Sequence, residues 1–85
     1  MDETILLNNG MLIENVQCLE SSGQLFLFLV GRTEFQTWLD LFDNPENTEI
    51  IVATRYGEET TYTGYTDLFS MSKEYGNINL VLRKG

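Results

Sequence analysis

The sequence predicts an α+β protein: a mostly antiparallel, curled sheet of about six strands with one packed helix, in the order β-β-β-α-β-β-β. Three observations lead there. One stretch alone, around Trp38, repeats its apolar residues at helical spacing. The segments on either side are rich in Val, Ile, Thr, Phe and Tyr, residues that fit a pleated surface. Between them recur the turn signals Asn9-Gly10, Ser22-Gly23, Gly57 and Tyr75-Gly76. At 85 residues and 9.8 kDa the chain has room for a single α+β domain, residues 1–85, without repeat or linker.

The first strand, residues 4–7, runs into Asn8-Asn9-Gly10, where Asn-Gly predicts a type I′ hairpin turn. In the second, residues 11–20, Met11 and Ile13 share one parity while Val16 and Cys18 share the other. A bulge near Glu14-Asn15 reconciles them. Residues 24–30 are apolar on both parities, Leu25, Leu27 and Leu29 against Phe26, Phe28 and Val30. Such a strand is central and needs cover on both faces, from the helix on one side and from the curled sheet or a partner subunit on the other.

The helix opens at Thr33-Glu34-Phe35-Gln36, which matches a capping box. Phe35, Trp38, Leu39 and Phe42 follow at i, i+3, i+4 and i+7, a stripe of about three turns that Leu41 widens. Gln36, Thr37, Asp40 and Asp43 take the opposite face, and Trp38 is the expected anchor to the sheet. Asn44-Pro45 ends the helix. Residues 48–56 alternate as a strand, Gly57-Glu58-Glu59 turns, and residues 60–71 read as one long Thr- and Tyr-rich strand with Gly64 marking a bulge or bend. After the turn at Tyr75-Gly76-Asn77, residues 78–84 close the sheet.

Composition narrows the function by exclusion. Thirteen acids against five bases leave a net charge of −8, which opposes direct binding to nucleic acid or to an anionic membrane. The longest apolar run, residues 25–30, is too short to span a bilayer. Without histidine, and with Cys18 as the one cysteine, the chain has no intramolecular disulfide, no thiolate zinc cluster and no thiol–imidazole pair. Asp2 and Glu3 stand where a secretory signal carries basic residues, so the expected location is cytoplasmic. No phosphate loop, dinucleotide glycine pattern or nucleophile elbow is present, and no cofactor is expected. Asp40, Asp43, Glu46 and Glu49 with Asn44 and Asn47 have ligand types for a hard cation. They lack the glycine and closing glutamate of a calcium loop, and the expectation is no metal and no enzyme.

Charge distribution says more than charge total. Glu34, Asp40, Asp43, Glu46, Glu49, Glu58 and Glu59, more than half of the acids, fall between residues 34 and 59 against Arg55 alone. Folded, they are expected to colour the helix's outer face and the turns beside it. A face of one sign steers a basic protein partner, with carboxylates standing where phosphates would. Tyr56, Tyr62, Tyr65 and Tyr75 crowd the C-terminal strands, and Tyr56 is a candidate rim contact. The first and last strands are expected to offer edges to another chain.

Asn44-Pro45-Glu46-Asn47-Thr48-Glu49-Ile50 and Thr63-Gly64-Tyr65-Thr66-Asp67-Leu68, with the Asn-Gly hairpin and a last strand ending in Arg83-Lys84, resemble small phage and prophage proteins of Gram-positive bacteria. The likeness covers nearly the whole chain, and none of its motifs is catalytic. It implies a viral protein: a virion part, an assembly helper or an inhibitor of host defence. The expected function is therefore an acidic binding protein that inhibits a host nucleic-acid-handling defence enzyme in the host cytoplasm, as an anti-CRISPR protein does. Its partner-binding residues are Glu34, Asp40, Asp43, Glu46, Glu49, Glu58, Glu59 and Tyr56. The alternative is a tail or head–tail subunit that forms a homo-oligomer through strand edges.

Overall fold

The computed structural model describes residues 3–85. Seven strands and two short helices follow one another as β1 (Glu3–Leu6), β2 (Leu12–Ser21), β3 (Gln24–Leu29), α1 (Phe35–Phe42), α2 (Pro45–Thr48), β4 (Ile50–Arg55), β5 (Glu58–Thr63), β6 (Asp67–Glu74) and β7 (Asn77–Arg83). All strands join one antiparallel sheet in the order β5-β4-β1-β2-β3-β7-β6.

The α+β class, the antiparallel sheet and the interior place of β3 agree with the expectation; the strand count, seven instead of six, and the helix count, two instead of one, do not. Residues 60–71 are two strands, broken at Gly64-Tyr65-Thr66. Gly64 takes a φ of +80°, which ends the strand instead of bending it. The break carries the chain from one sheet edge to the other. Seven strands laid flat would span about 29 Å, whereas Thr63 and Asp67 are joined by a link of at most about 14 Å. The sheet is therefore strongly curled, and the link crosses its open side, held by Gly64 N–H to the Glu49 carbonyl and Gly85 N–H to the Gly64 carbonyl. The expected edges are also displaced. β1 lies between β4 and β2, and β7 between β3 and β6, so the free edges are β5 and β6.

Turn chemistry sets the hairpins. Ser22-Gly23, Tyr56-Gly57 and Tyr75-Gly76 each place two consecutive residues at positive φ, the requirement of a type I′ turn. Glu58 and Glu59 thus begin β5 instead of forming the turn. The first hairpin is not type I′: Gly10 alone is at positive φ, and Gly10 N–H bonds the Leu7 carbonyl while Leu7 N–H bonds that of Met11. That is a three-residue loop with glycine in the left-handed position. The parity switch in β2 is resolved by a bulge: Glu3 pairs Val16 and Ile5 pairs Ile13, one residue more on β2, with Asn15 at a φ of 57°.

The inner face supplies the core: Ile5, Ile13, Val16, Leu25, Leu27, Leu29, Ile51, Ile78, Leu80 and Leu82 are essentially without exposure. α1 closes one end of it. Phe42 is fully buried while Trp38 is only half-buried, so Phe42 is the anchor, with Trp38 stacked on it at 6.4 Å between ring centroids. The capping box does not form. The residue before α1 is Glu34, without a side-chain cap, and the Phe35 N–H turns back to the Thr33 carbonyl. Pro45 ends α1 but also opens α2, where Asn44 Oδ1 accepts from Glu46 N–H at 3.1 Å. The β1–β2 loop holds α2 in place: Asn8 donates its side-chain amide to the Glu46 carbonyl and its N–H to that of Asn47.

Candidate functional site

The seven acids are exposed, but they form two groups. Glu34, Asp40, Asp43, Glu46 and Glu49 line the helical layer from just before α1 to just after α2. Glu58 and Glu59 pair with Arg55 and Thr54 at the far tip of the β4–β5 hairpin. Glu49 directly precedes β4, so the length of that strand, about 17–20 Å, separates the two groups. Within the helical layer Glu34 also stands apart, at the opposite end of α1 from Asp43. The single face expected from the sequence is thus reduced to Asp40, Asp43, Glu46 and Glu49, with Glu34 at its margin.

This group is disposed in a manner that the fold alone does not favour. Asp40 lies in the last turn of α1 and Asp43 is its C-cap, where the unpaired carbonyls already carry partial negative charge, and no base lies in that turn. Asp40 receives one hydrogen bond, from Gln36 Nε2 at 2.8 Å. No base occurs anywhere between Glu34 and Glu49. Asn44 and Asn47, offered by the sequence as cation ligands, act as braces: Asn44 caps α2, and Asn47 Nδ2 donates to the Leu41 carbonyl at 2.8 Å. Among the described residues no group of three or more acids or thiols converges as a metal site.

At the hairpin tip Tyr56 is 73 % exposed, and the Arg55 guanidinium lies 5.7 Å from its ring centroid. Arg55 stands opposite Glu58 in the β4–β5 register, so this second group is partly offset by a base. Tyr56 therefore does not rim the helical layer.

A different polar cluster, which sequence reasoning missed, occupies the open end of the curled sheet. Tyr65, on the link that crosses the sheet, is buried and donates its hydroxyl to Glu20 Oε2 at 3.0 Å, with Tyr62 packed edge-on at 6.1 Å. Burial and the Glu20 carboxylate both push the Tyr65 hydroxyl pKa up. Cys18 is half-buried beside them, and Glu3 accepts its backbone N–H at 3.3 Å. Burial, reinforced by the Glu3 charge, pushes the Cys18 thiol up to about 12, against a lowering hydrogen bond from Tyr62. Tyr62 also rises to about 12, through burial and then through Cys18. A thiol so disposed stays protonated at neutral pH and is no nucleophile. Cys18 and Glu20 share a parity on β2, but Tyr62 and Tyr65 have opposite parities, and the meeting of the four depends on the link, which local patterns do not reveal.

The outer face of the sheet differs from both. The register sets Leu19, Phe26 and Val81 in one row across β2, β3 and β7, with Leu19 65 % and Phe26 37 % exposed. A depression of about 540 Å³ opens over this face between Gln17, Phe28 and Asn79. No described helix is long and apolar enough to cross a membrane. No protein-family model matches the chain, and neither a curated protein nor a solved structure is significantly similar to it.

Proposed function

We propose that the protein is a non-enzymatic binding protein whose acidic helical layer docks on the basic surface of another protein. The observation that carries this reading is the placement of Asp40 and Asp43 at the negative end of α1, continued by Glu46 and Glu49, with no base among them. Such carboxylates oppose the helix dipole and one another, so folding does not account for them; a cationic partner relieves both repulsions on binding. With the resemblance to phage proteins, the partner class is a host defence enzyme that handles nucleic acid, and the mode is occupation of its basic channel in the host cytoplasm. Glu34 adds steering charge from the margin. Glu58, Glu59 and Tyr56 belong to a secondary contact at the hairpin tip.

The test is a charge reversal. The Asp40→Lys, Asp43→Lys, Glu46→Lys variant is expected to lose inhibition of CRISPR effector nucleases in a DNA-cleavage assay while it remains folded. Inhibition that survives the triple reversal contradicts the reading, and so does a wild-type protein that inhibits no such nuclease. The virion-subunit alternative through strand edges is less supported. β5 opens with Glu58 and Glu59, and β6 carries a register shift between Leu68 and Ser70, then Lys73, devices that oppose edge pairing.

A further inference from the structure

The inner mouth of the curled sheet, at the far end of β4 from the helical layer, holds a cavity of about 520 Å³. Its main wall is one face of the β4–β5 hairpin. The register sets Ala53 against Thr60 and Arg55 against Glu58, and Tyr62 follows at the same parity. Glu3 from β1 and Cys18 from β2 complete the lining. Glu3 and Arg55 each lie one residue beyond the Thr4–Thr54 pair, so Glu3, Arg55 and Glu58 stand side by side across three neighbouring strands, acid, base, acid. Opposite charges so placed normally pair across the strands. These do not. Among the described residues the Arg55 guanidinium makes no ion pair or hydrogen bond and lies 5.7 Å from the Tyr56 ring centroid, and the Glu58 carboxylate has no partner. The Glu3 carboxylate accepts one bond, from the Cys18 N–H at 3.3 Å.

We propose that this mouth binds a basic α-amino acid of the lysine type, its α-carboxylate on Arg55, its α-ammonium on Glu58 and its side-chain cation on Glu3. The three side chains together carry one net negative charge, and such a ligand carries one net positive charge. A phosphate meets two carboxylates there and a simple diamine meets the guanidinium, so neither sign alone is complementary. The spacing fits as well. Opposed residues of an antiparallel pair stand about 5 Å apart at Cα, so Arg55 and Glu58 present their charges side by side, as the two groups on the α-carbon of an amino acid require. Glu3 is two strand spacings from Glu58, roughly 10 Å, a span that a four-carbon stem and the flexible carboxylate side chains cover. The stem lies over Ala53 and the Tyr62 ring, apolar surface of the kind that methylenes cover. The cavity falls within the usual size of small-ligand sites, which favour the mouths of closed or curled sheets.

NMR titration of the isotope-labelled chain with L-lysine tests this directly. The expected result is a set of saturable amide shifts centred on Glu3, Cys18, Arg55, Glu58 and Thr60, with a Kd on the order of 1 mM, as suits so small a ligand. L-Norleucine lacks the side-chain ammonium and cadaverine lacks the carboxylate, and each is expected to bind about 10-fold more weakly for the loss of one charged contact. Cadaverine, a dication, also measures the bare attraction of a −8 chain for cations. Arg55→Gln is expected to weaken lysine binding about 10-fold. Glu3→Gln is expected to weaken lysine and leave norleucine unchanged, a split that loss of structure would not produce. No saturable shift up to about 50 mM lysine overturns the proposal. Shifts centred elsewhere, cadaverine binding as tightly as lysine, or affinity untouched by Arg55→Gln overturn it as well. The Asp40→Lys, Asp43→Lys, Glu46→Lys variant is expected to bind lysine as the wild type does. The helical layer takes no part in this site, so failure here leaves the proposed function standing, and failure of the charge reversal leaves the site standing.

Discussion

The helical layer and the outer sheet face of β2-β3-β7-β6 are both exposed, and they are built in opposite ways. The layer is pinned beneath by one buried ring, Phe42, and carries outside a run of acids with no base within the run, Arg32 before it lying 5.7 Å from the Trp38 ring centroid. The sheet face is pinned beneath by Leu25, Leu27, Leu29, Ile78, Leu80 and Leu82 and is almost neutral outside. The high net charge is therefore not a uniform coating. Charge is concentrated where the fold tolerates it poorly, against a helix C-terminus, and sparse where a solvated sheet face would accommodate it easily. Solubility alone needs neither arrangement.

The largest expected effect removes one side of the contrast. Phe42→Ala takes the fully buried ring from beneath the helical layer, and denaturant unfolding is expected to report a loss of about 3–5 kcal/mol. In a chain of this size that is a large part of the total stability. If the loss were confined to a few tenths of a kcal/mol, the layer would owe its position to the α2–loop hydrogen bonds instead.

Alkaline pH acts next, at the Cys18–Tyr62 pair on the inner side of the sheet's open end. Cys18 rises from its ordinary 9.0 to about 12 and Tyr62 from 10.0 to about 12, so the folded chain holds both protons more tightly than the unfolded chain does. Their contribution is complete below pH 9 for the thiol and below pH 10 for the phenol, and is lost as pH rises towards 12. Melting temperature is therefore expected to fall over that window, and Cys18→Ala to flatten its lower part. A smaller change comes from Tyr65→Phe, which removes the hydrogen bond to Glu20: about 1 kcal/mol by thermal unfolding, with the link still in place.

The smallest effect is the sharpest for the comparison. Asp43→Lys replaces an anion at the C-terminal end of α1 with a cation, and is expected to stabilise the chain by about 0.3–1 kcal/mol at low salt, a few degrees of melting temperature. The gain should shrink as salt is added.

Much of this fold was legible locally. The bulge at Asn15, the helix at Trp38 and the Ser22-Gly23 turn follow from parity, periodicity and glycine placement. What was not legible is long-range. β1 and β7 look like edges because they are first and last, yet β4 pairs beside one and β6 beside the other. Gly64 looks like a bend within a strand because nothing nearby tells that Asp67 pairs with Arg83 and not with β4. The capping box fails at Thr33 because the backbone there satisfies Phe35 in another way. For the site, the acids were found by counting. Their division was already implicit in the hairpin reading, since Glu49 stands at the start of the strand over residues 48–56 and Glu58 and Glu59 stand beyond its far end.

On the proposed function, the acids of the helical layer serve binding and not folding. The most direct measurement takes the Asp40→Lys, Asp43→Lys, Glu46→Lys variant beside the wild type and records inhibition of CRISPR effector nucleases and melting temperature on the same samples. Inhibition is expected to be lost while the melting temperature holds or rises. Inhibition retained, or lost only in step with a falling melting temperature, would contradict it.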